Sequence, residues 1–245
     1  MVLYRYVKEK PKKKRAKSFI SLALSLSGLF LIAYVVYPIL AFELFEAPRF
    51  AQLVSPIAEK SEFTYKTDQS SDDNVLGESD SANLNENIDY INVSNWFPKK
   101  PQIDTETSGR IYFLSIPKLR IENAIVEIAG KSLDNTLIHY GGTGLPGEYG
   151  NAVIFGHSIL PQFYNPKNYK SIFSLLPKLN LRDEIFIKFD GVIYKYLVSD
   201  MRITSAEDIS VLEQRYDDSY ISLITCVPPG TYWKRLVVTA RLVKY

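Results

Sequence analysis

The chain has 245 residues, room for a membrane segment and one ordinary globular domain. Its formal charge of +2 hides a division: residues 1–17 (MVLYRYVKEKPKKKRAK) carry eight Lys/Arg against one Glu, a net of +7, and the rest of the chain sums to −5. Basicity confined to one short tail argues against a nucleic-acid partner, one cysteine excludes an internal disulfide, and two histidines with that cysteine are too few for an independent zinc site.

From residue 18 to 42 (SFISLALSLSGLFLIAYVVYPILAF) no charge interrupts the sequence. Twenty-five residues at about 1.5 Å rise span the roughly 30 Å of bilayer hydrocarbon with some tilt. The stretch exceeds the usual apolar core of a signal peptide, and LAFELFEAP offers only a poor small-x-small cleavage site, so it reads as an uncleaved anchor. The basic cluster before it and Glu43 and Glu46 after it predict a cytoplasmic N-terminus, a single pass and an extracellular remainder. Tyr34, Tyr37 and Phe42 suit an interfacial aromatic belt.

Residues 43–60 suggest a short helix interrupted by Pro48 and Pro56. Residues 61–95, rich in Ser, Asp, Asn and Glu, bury too little apolar surface to offset ordering entropy and read as a flexible stalk, continued by 96–109. Trp96 and Phe97 are odd residues for a stalk, and docking on the folded unit would explain them. The expected organisation is thus a basic tail (1–17), an anchor (18–42), a stalk (43–109) and a folded domain (110–245).

From Arg110 the texture becomes that of strands. RIYFLSIPKLRIENAIVEI predicts two strands broken at Pro117, and SLDNTLIHYGGTGLPGEYG a short helix running into a glycine-rich loop. NAVIFGH is a buried-type strand ending at His157, and YKSIFSLLPKLNLRDE suits one or two helical turns. IFIKFDGVIYKYLVSDMRIT is a hairpin about Asp190-Gly191. SAEDISVLEQ offers a short helix capped by Ser205. YISLITC and KRLVVTARLV close the list of strands. Seven or eight strands with only short helices and no βαβ rhythm predict a mainly β fold, a small closed barrel.

Cys226 is the natural nucleophile, because a thiolate is the most nucleophilic ordinary side chain. It needs a base or a cation to act near neutrality. Either histidine, His139 or His157, can supply the base if the fold brings it close. In the last strand Arg235, Val237, Thr239 and Arg241 share one face, and antiparallel pairing across the 227–233 loop would return Arg235 to Cys226. A fixed guanidinium there can hold a substrate carbonyl or an oxyanion.

LPGEYGNAVIFGHS, followed some seventy residues later by LITCVPPGTYWKRLVV, closely resembles the sortase family, and the likeness runs from about residue 110 to 245. FLSIPKLRIENAIVEI resembles the family's opening strands and FSLLPKLNLRDEIFIK a further stretch, with Arg182 where Gly is common; Ser222 stands where Thr often does. The resemblance implies a closed eight-stranded sortase barrel and a cysteine transpeptidase. Cys226 would attack the carbonyl of a sorting-signal peptide bond to form an acyl-thioester, and His157 would protonate the leaving amine and deprotonate the incoming one. Arg235 would orient substrate and stabilise the oxyanion. Thr225 would help position substrate, and His139 corresponds to a second histidine seen in some sortases, structural or adjacent to substrate. The implied partners are exported proteins with a C-terminal sorting signal, an amine acceptor such as a cell-wall peptide, and the lipid bilayer. No cofactor is implied, and nothing singles out a calcium site. Cys226-x-Pro-Pro-Gly-Thr leans toward the class D or E style. Trp96-Phe97-Pro98 lies where the lid of pilin-polymerising sortases sits but lacks its Asp-Pro-aromatic form. Open alternatives are a hydrolytic cysteine endopeptidase on the same residues, a pilin-polymerising sortase, and a non-catalytic surface module with an inert Cys226.

Overall fold

The structure, a computed structural model, describes residues 14–51, 91–97 and 100–244. The first thirteen residues of the basic tail, and residues 52–90 with Pro56 and most of the expected stalk, lie outside the described residues.

Helix α1 (Lys14–Ala41) continues through a wider π-type turn (Phe42–Glu46) into α2 (Ala47–Ala51). Phe19–Phe50 is long and apolar enough to cross a membrane, with its apolar side chains exposed from Phe19 to Tyr37, which fits a single-pass anchor. The break expected at Pro48 is absent. The Ala47 N–H bonds the Phe42 carbonyl five residues back, so the ladder has already left its regular spacing where proline removes a donor. The far end of this run is packed on the globular unit: Phe42 and Phe50 are buried in its core, and Lys234 Nζ lies 3.3 Å from Glu43 Oε1.

Eight strands close into the expected barrel. They are β1 (Ile111–Ile116), β2 (Ile121–Ile128), β3 (Leu137–His139), β4 (Gly150–Phe155), β5 (Glu184–Phe189), β6 (Val192–Ser205), β7 (Ser219–Val227) and β8 (Lys234–Leu242). Their order around the barrel is β1-β2-β3-β4-β7-β8-β6-β5, with β5 pairing back to β1. β2–β3 and β4–β7 are parallel, the other pairs antiparallel. Pro117 ends β1 as expected, and Asp190 and Gly191, both at positive φ (49° and 79°), make the tight β5–β6 turn. Three local expectations differ. Residues 137–139 form a strand rather than following a helix, because Leu137 and Ile138 are wanted by the sheet. The 169–184 stretch forms turns around a short 3-10 segment at Leu176–Lys178. The cap of the 3-10 turn Ile209–Leu212 is Asp208, accepting from the Ser210 N–H, because β6 runs on through Ser205.

Side chains alternate between two hydrophobic clusters on opposite sides of the sheet. Ile221, Leu223, Val227, Leu236 and Val238 fill the lumen with Tyr112, Leu114 and Ile187. Ile224, Cys226, Val237, Val153 and Phe155 form an outer cluster under Val93, Trp96, Phe97, Val211 and Leu212. All nine residues of β7 are therefore buried, which is why its sequence is almost continuously apolar. Trp96 and Phe97 do dock. Their segment is fastened by Val93 N–H to Lys131 O and Leu133 N–H to Ile91 O, both 3.0 Å, and Trp96 meets Phe155 edge to face at 5.2 Å.

Candidate active site

The site grows from the register of three strands. β7 and β8 place Cys226 directly opposite Arg235, the pairing expected from the sequence. The parallel β4–β7 ladder aligns Phe155 with Ile224 and continues as Gly156 N–H to Ile224 O at 3.1 Å. Two residues further along each chain stand His157 and Cys226, so the strand ends bring them level. The turn after β4 is stitched to β7 by side chains too: Thr225 Oγ1 donates to Gly156 O at 2.8 Å, and Ser158 Oγ to Cys226 O at 2.6 Å. The His157 carbonyl accepts from Phe173 N–H at 3.0 Å.

Gly156 has a steric reason to be glycine. A Cβ there would lie 2.5 Å from Phe173 Cδ2 and 2.6 Å from Leu137 Cδ2, both in the packed lumen. Gly156→Ala is expected to cost about 1–3 kcal/mol in a denaturant titration by overpacking, and to lower turnover by shifting the neighbouring His157.

Arg235 is buried on β8, an expensive place for a cation, and its surroundings are built to receive it. Nη1 donates to Tyr232 O at 3.1 Å and points at Cys226 Sγ from 3.4 Å, while the guanidinium carbon lies 4.7 Å from the Trp96 ring centroid. Trp96 also stands over His157, ring centroids 6.4 Å apart. One aromatic ring thus lies against both Arg235 and His157. Cys226 is 1% exposed, and burial pushes its thiol up to about 11 against the opposing pull of Arg235. In this covered state the sulfur is a neutral thiol at neutral pH.

His139 lies elsewhere, buried between β1 and the glycine-rich loop. Its Nδ1 is hydrogen-bonded to the Tyr112 hydroxyl at 2.9 Å and its Nε2 to Thr143 Oγ1 at 3.0 Å. Burial lowers it to about 4, partly offset by Thr143, so the ring is neutral at pH 7 with both nitrogens engaged. The Thr225 hydroxyl is spent on the Gly156 carbonyl. Among the described residues no three His, Cys, Asp or Glu side chains gather as a metal site.

A protein-family model described as Sortase domain matches residues 114–243, more than half of the chain. The chain belongs to the sortase family. Members of this family are cysteine transpeptidases. Among solved structures this sortase is similar to a Clostridium perfringens sortase D5 transpeptidase (28% identity, 55% of this chain and 79% of that one, TM-score 0.47). It is also similar to a lid mutant of sortase A from Corynebacterium diphtheriae (29% identity, 55% and 70%, TM-score 0.48) and to sortase C-1 from Actinomyces oris (26% identity, 55% and 73%, TM-score 0.48). No curated protein matches its sequence.

Sequence reasoning about this sortase missed Ser158, whose hydroxyl ties the histidine turn to the cysteine backbone, and the full reach of Trp96. A serine one residue after Gly156-His157 carries no signal of that bond, because it depends on a parallel register between segments 68 residues apart.

Proposed function

We propose that this sortase is a membrane-anchored transpeptidase that cleaves a sorting-signal peptide through an acyl-thioester on Cys226 and passes the acyl group to an amine, fixing exported proteins at the cell surface. The observation that carries this reading is the Arg235 guanidinium held 3.4 Å from the Cys226 sulfur beside the turn that bears His157. The Cys226 thiol passes its proton to His157, the thiolate attacks the scissile carbonyl carbon, and Arg235 steadies the resulting oxyanion. Collapse breaks the C–N bond as His157, in its imidazolium form, gives a proton to the leaving amine. The acceptor amine then attacks the thioester, His157 takes its proton, and the C–S bond breaks to restore the thiolate. Trp96 must first move aside, since it packs in the same buried cluster as Cys226 and lies against the Arg235 guanidinium. Thr225 and Ser158 act as positioning residues for the histidine turn, and His139 as a core residue. The charge flanking α1 supports a cytoplasmic N-terminus and an extracellular barrel.

Cys226→Ala tests the reading. With a library of peptide substrates and a glycine-type or diamino-acid acceptor, the parent chain is expected to give ligated product and a trappable thioester. The variant is expected to lose both, by at least about 1,000-fold. Unchanged turnover in Cys226→Ala would refute the enzyme, and cleavage without ligation at saturating amine would make it a hydrolytic endopeptidase.

A further inference from the structure

The way the barrel is mounted on the helix has its own consequence. A groove of about 290 Å³ runs between α1 and the barrel, with Tyr37 and Pro38 on one wall and Pro161, Pro177 and Pro229 on the other. Tyr37 stands five residues before the end of the uncharged stretch at Phe42, about 7.5 Å back along a helix. The barrel loops therefore come down alongside residues that lie within the span itself. These are the loops of the proposed site: Pro161 follows the His157 turn, and Pro229 lies between Cys226 and Arg235. The two loops touch, with a Cβ on Gly230 falling 3.1 Å from Leu160. On the other side of the helix Lys234 meets Glu43, and Trp233 shares a second groove with Glu43, Pro48 and Phe50.

Several large aromatics are exposed at this end, among polar neighbours such as Gln162 and Lys178. Phe163 on the first loop is 57% exposed and Trp233 on the second 62%, with Tyr232 half exposed beside it and Phe45 exposed on the helical turn. Trp and Tyr, apolar rings with a polar tip, are favoured at the headgroup level of a bilayer, and an exposed Phe beside them is costly in bulk water. The two walls that flank α1 and the aromatic loops that reach its outer turns point to one occupant.

We propose that the barrel rests on the outer membrane surface with the Cys226 end facing the lipid, its two site loops embedded through Trp233, Tyr232 and Phe163 in the interfacial layer. The inference rests on reading α1 as a membrane span and Cys226 as the nucleophile.

The chain has two tryptophans, so Trp233→Phe removes the exposed reporter without touching the buried one. The full chain and this variant are reconstituted in phosphatidylcholine–phosphatidylglycerol vesicles with and without lipids brominated near the headgroup end of the acyl chain. The emission difference between the two proteins isolates Trp233, and it is expected to fall by roughly half with brominated lipid, as for a ring at the interface. Resistance of both proteins to extraction by alkaline carbonate reports the anchor separately. Anchored protein whose Trp233 emission is indifferent to bromine and open to aqueous iodide overturns the docking while leaving the anchor reading intact. Protein extracted by carbonate overturns both.

Discussion

Arg235→Lys is expected to lower kcat/KM by about 100- to 1,000-fold while leaving the barrel folded, as removal of one oxyanion donor does in acyl transfer. Charge is retained, so any loss reports geometry. A guanidinium presents a planar fork: here Nη1 is shared between the Tyr232 carbonyl and the Cys226 sulfur while the face of the group lies on Trp96. A lysine ammonium is a point charge on a flexible stem and cannot serve the carbonyl, the sulfur and the ring together. The same variant in a thiol-alkylation assay separates two functions. If Arg235 mainly favours the thiolate, alkylation of Cys226 slows in step with turnover; if it mainly holds the oxyanion, turnover falls and alkylation changes little. Near-parent kcat/KM in Arg235→Lys would remove Arg235 from the chemistry.

Trp96→Ala is expected to accelerate alkylation of Cys226 by at least about 200-fold at pH 8. The argument is one of sign. Burial disfavours the thiolate and holds the thiol up at about 11, and Arg235 acts in the opposite direction. Removing the indole admits water and leaves the cation in place, so the midpoint falls toward or below the ordinary value near 8.5. At pH 8 the thiolate fraction then rises from about one in a thousand to tens of per cent. In the parent chain the alkylation rate should keep climbing with pH up to about 11. In the variant it should level off two or more units lower. Superimposable pH profiles would mean that the ring does not govern access to the sulfur. Trp96→Phe keeps the apolar cover but weakens the cation–π contact, and should fall between the two.

Much of this was readable from local pattern. The alternation in residues 110–128, the Asp190-Gly191 turn and the apolar β7 run each declare a strand because periodicity and turn chemistry act over a few residues. The Cys226–Arg235 pairing was legible for the same reason, as the two lie on adjacent strands joined by one loop. What was not legible depended on contacts across the chain. Residues 137–139 are too short to declare a strand and become one through partners on β2 and β4. The Asp208 cap could be fixed only once the end of β6 was known. Thr225 and His139 look alike as polar residues near a site, and only tertiary packing separates a hydroxyl turned to the Gly156 carbonyl from a ring locked between Tyr112 and Thr143.

The separation of the two hydrophobic clusters by a single sheet bears on how substrate reaches the sulfur. Cys226 belongs to the outer cluster, and the lumen behind it is closed by its own side chains. Exposure of the thiol therefore calls for no breathing of the barrel. It calls for the 91–97 segment to lift from the outer face, giving up the burial of Val93, Trp96 and Phe97 and the two main-chain bonds at Lys131 and Leu133. Such a release is a sub-global opening, well short of the cost of unfolding the whole molecule. In native-state hydrogen exchange the Val93 and Leu133 amides should exchange ahead of those shared by β7 and β8, in a step that a bound acyl chain would hold open.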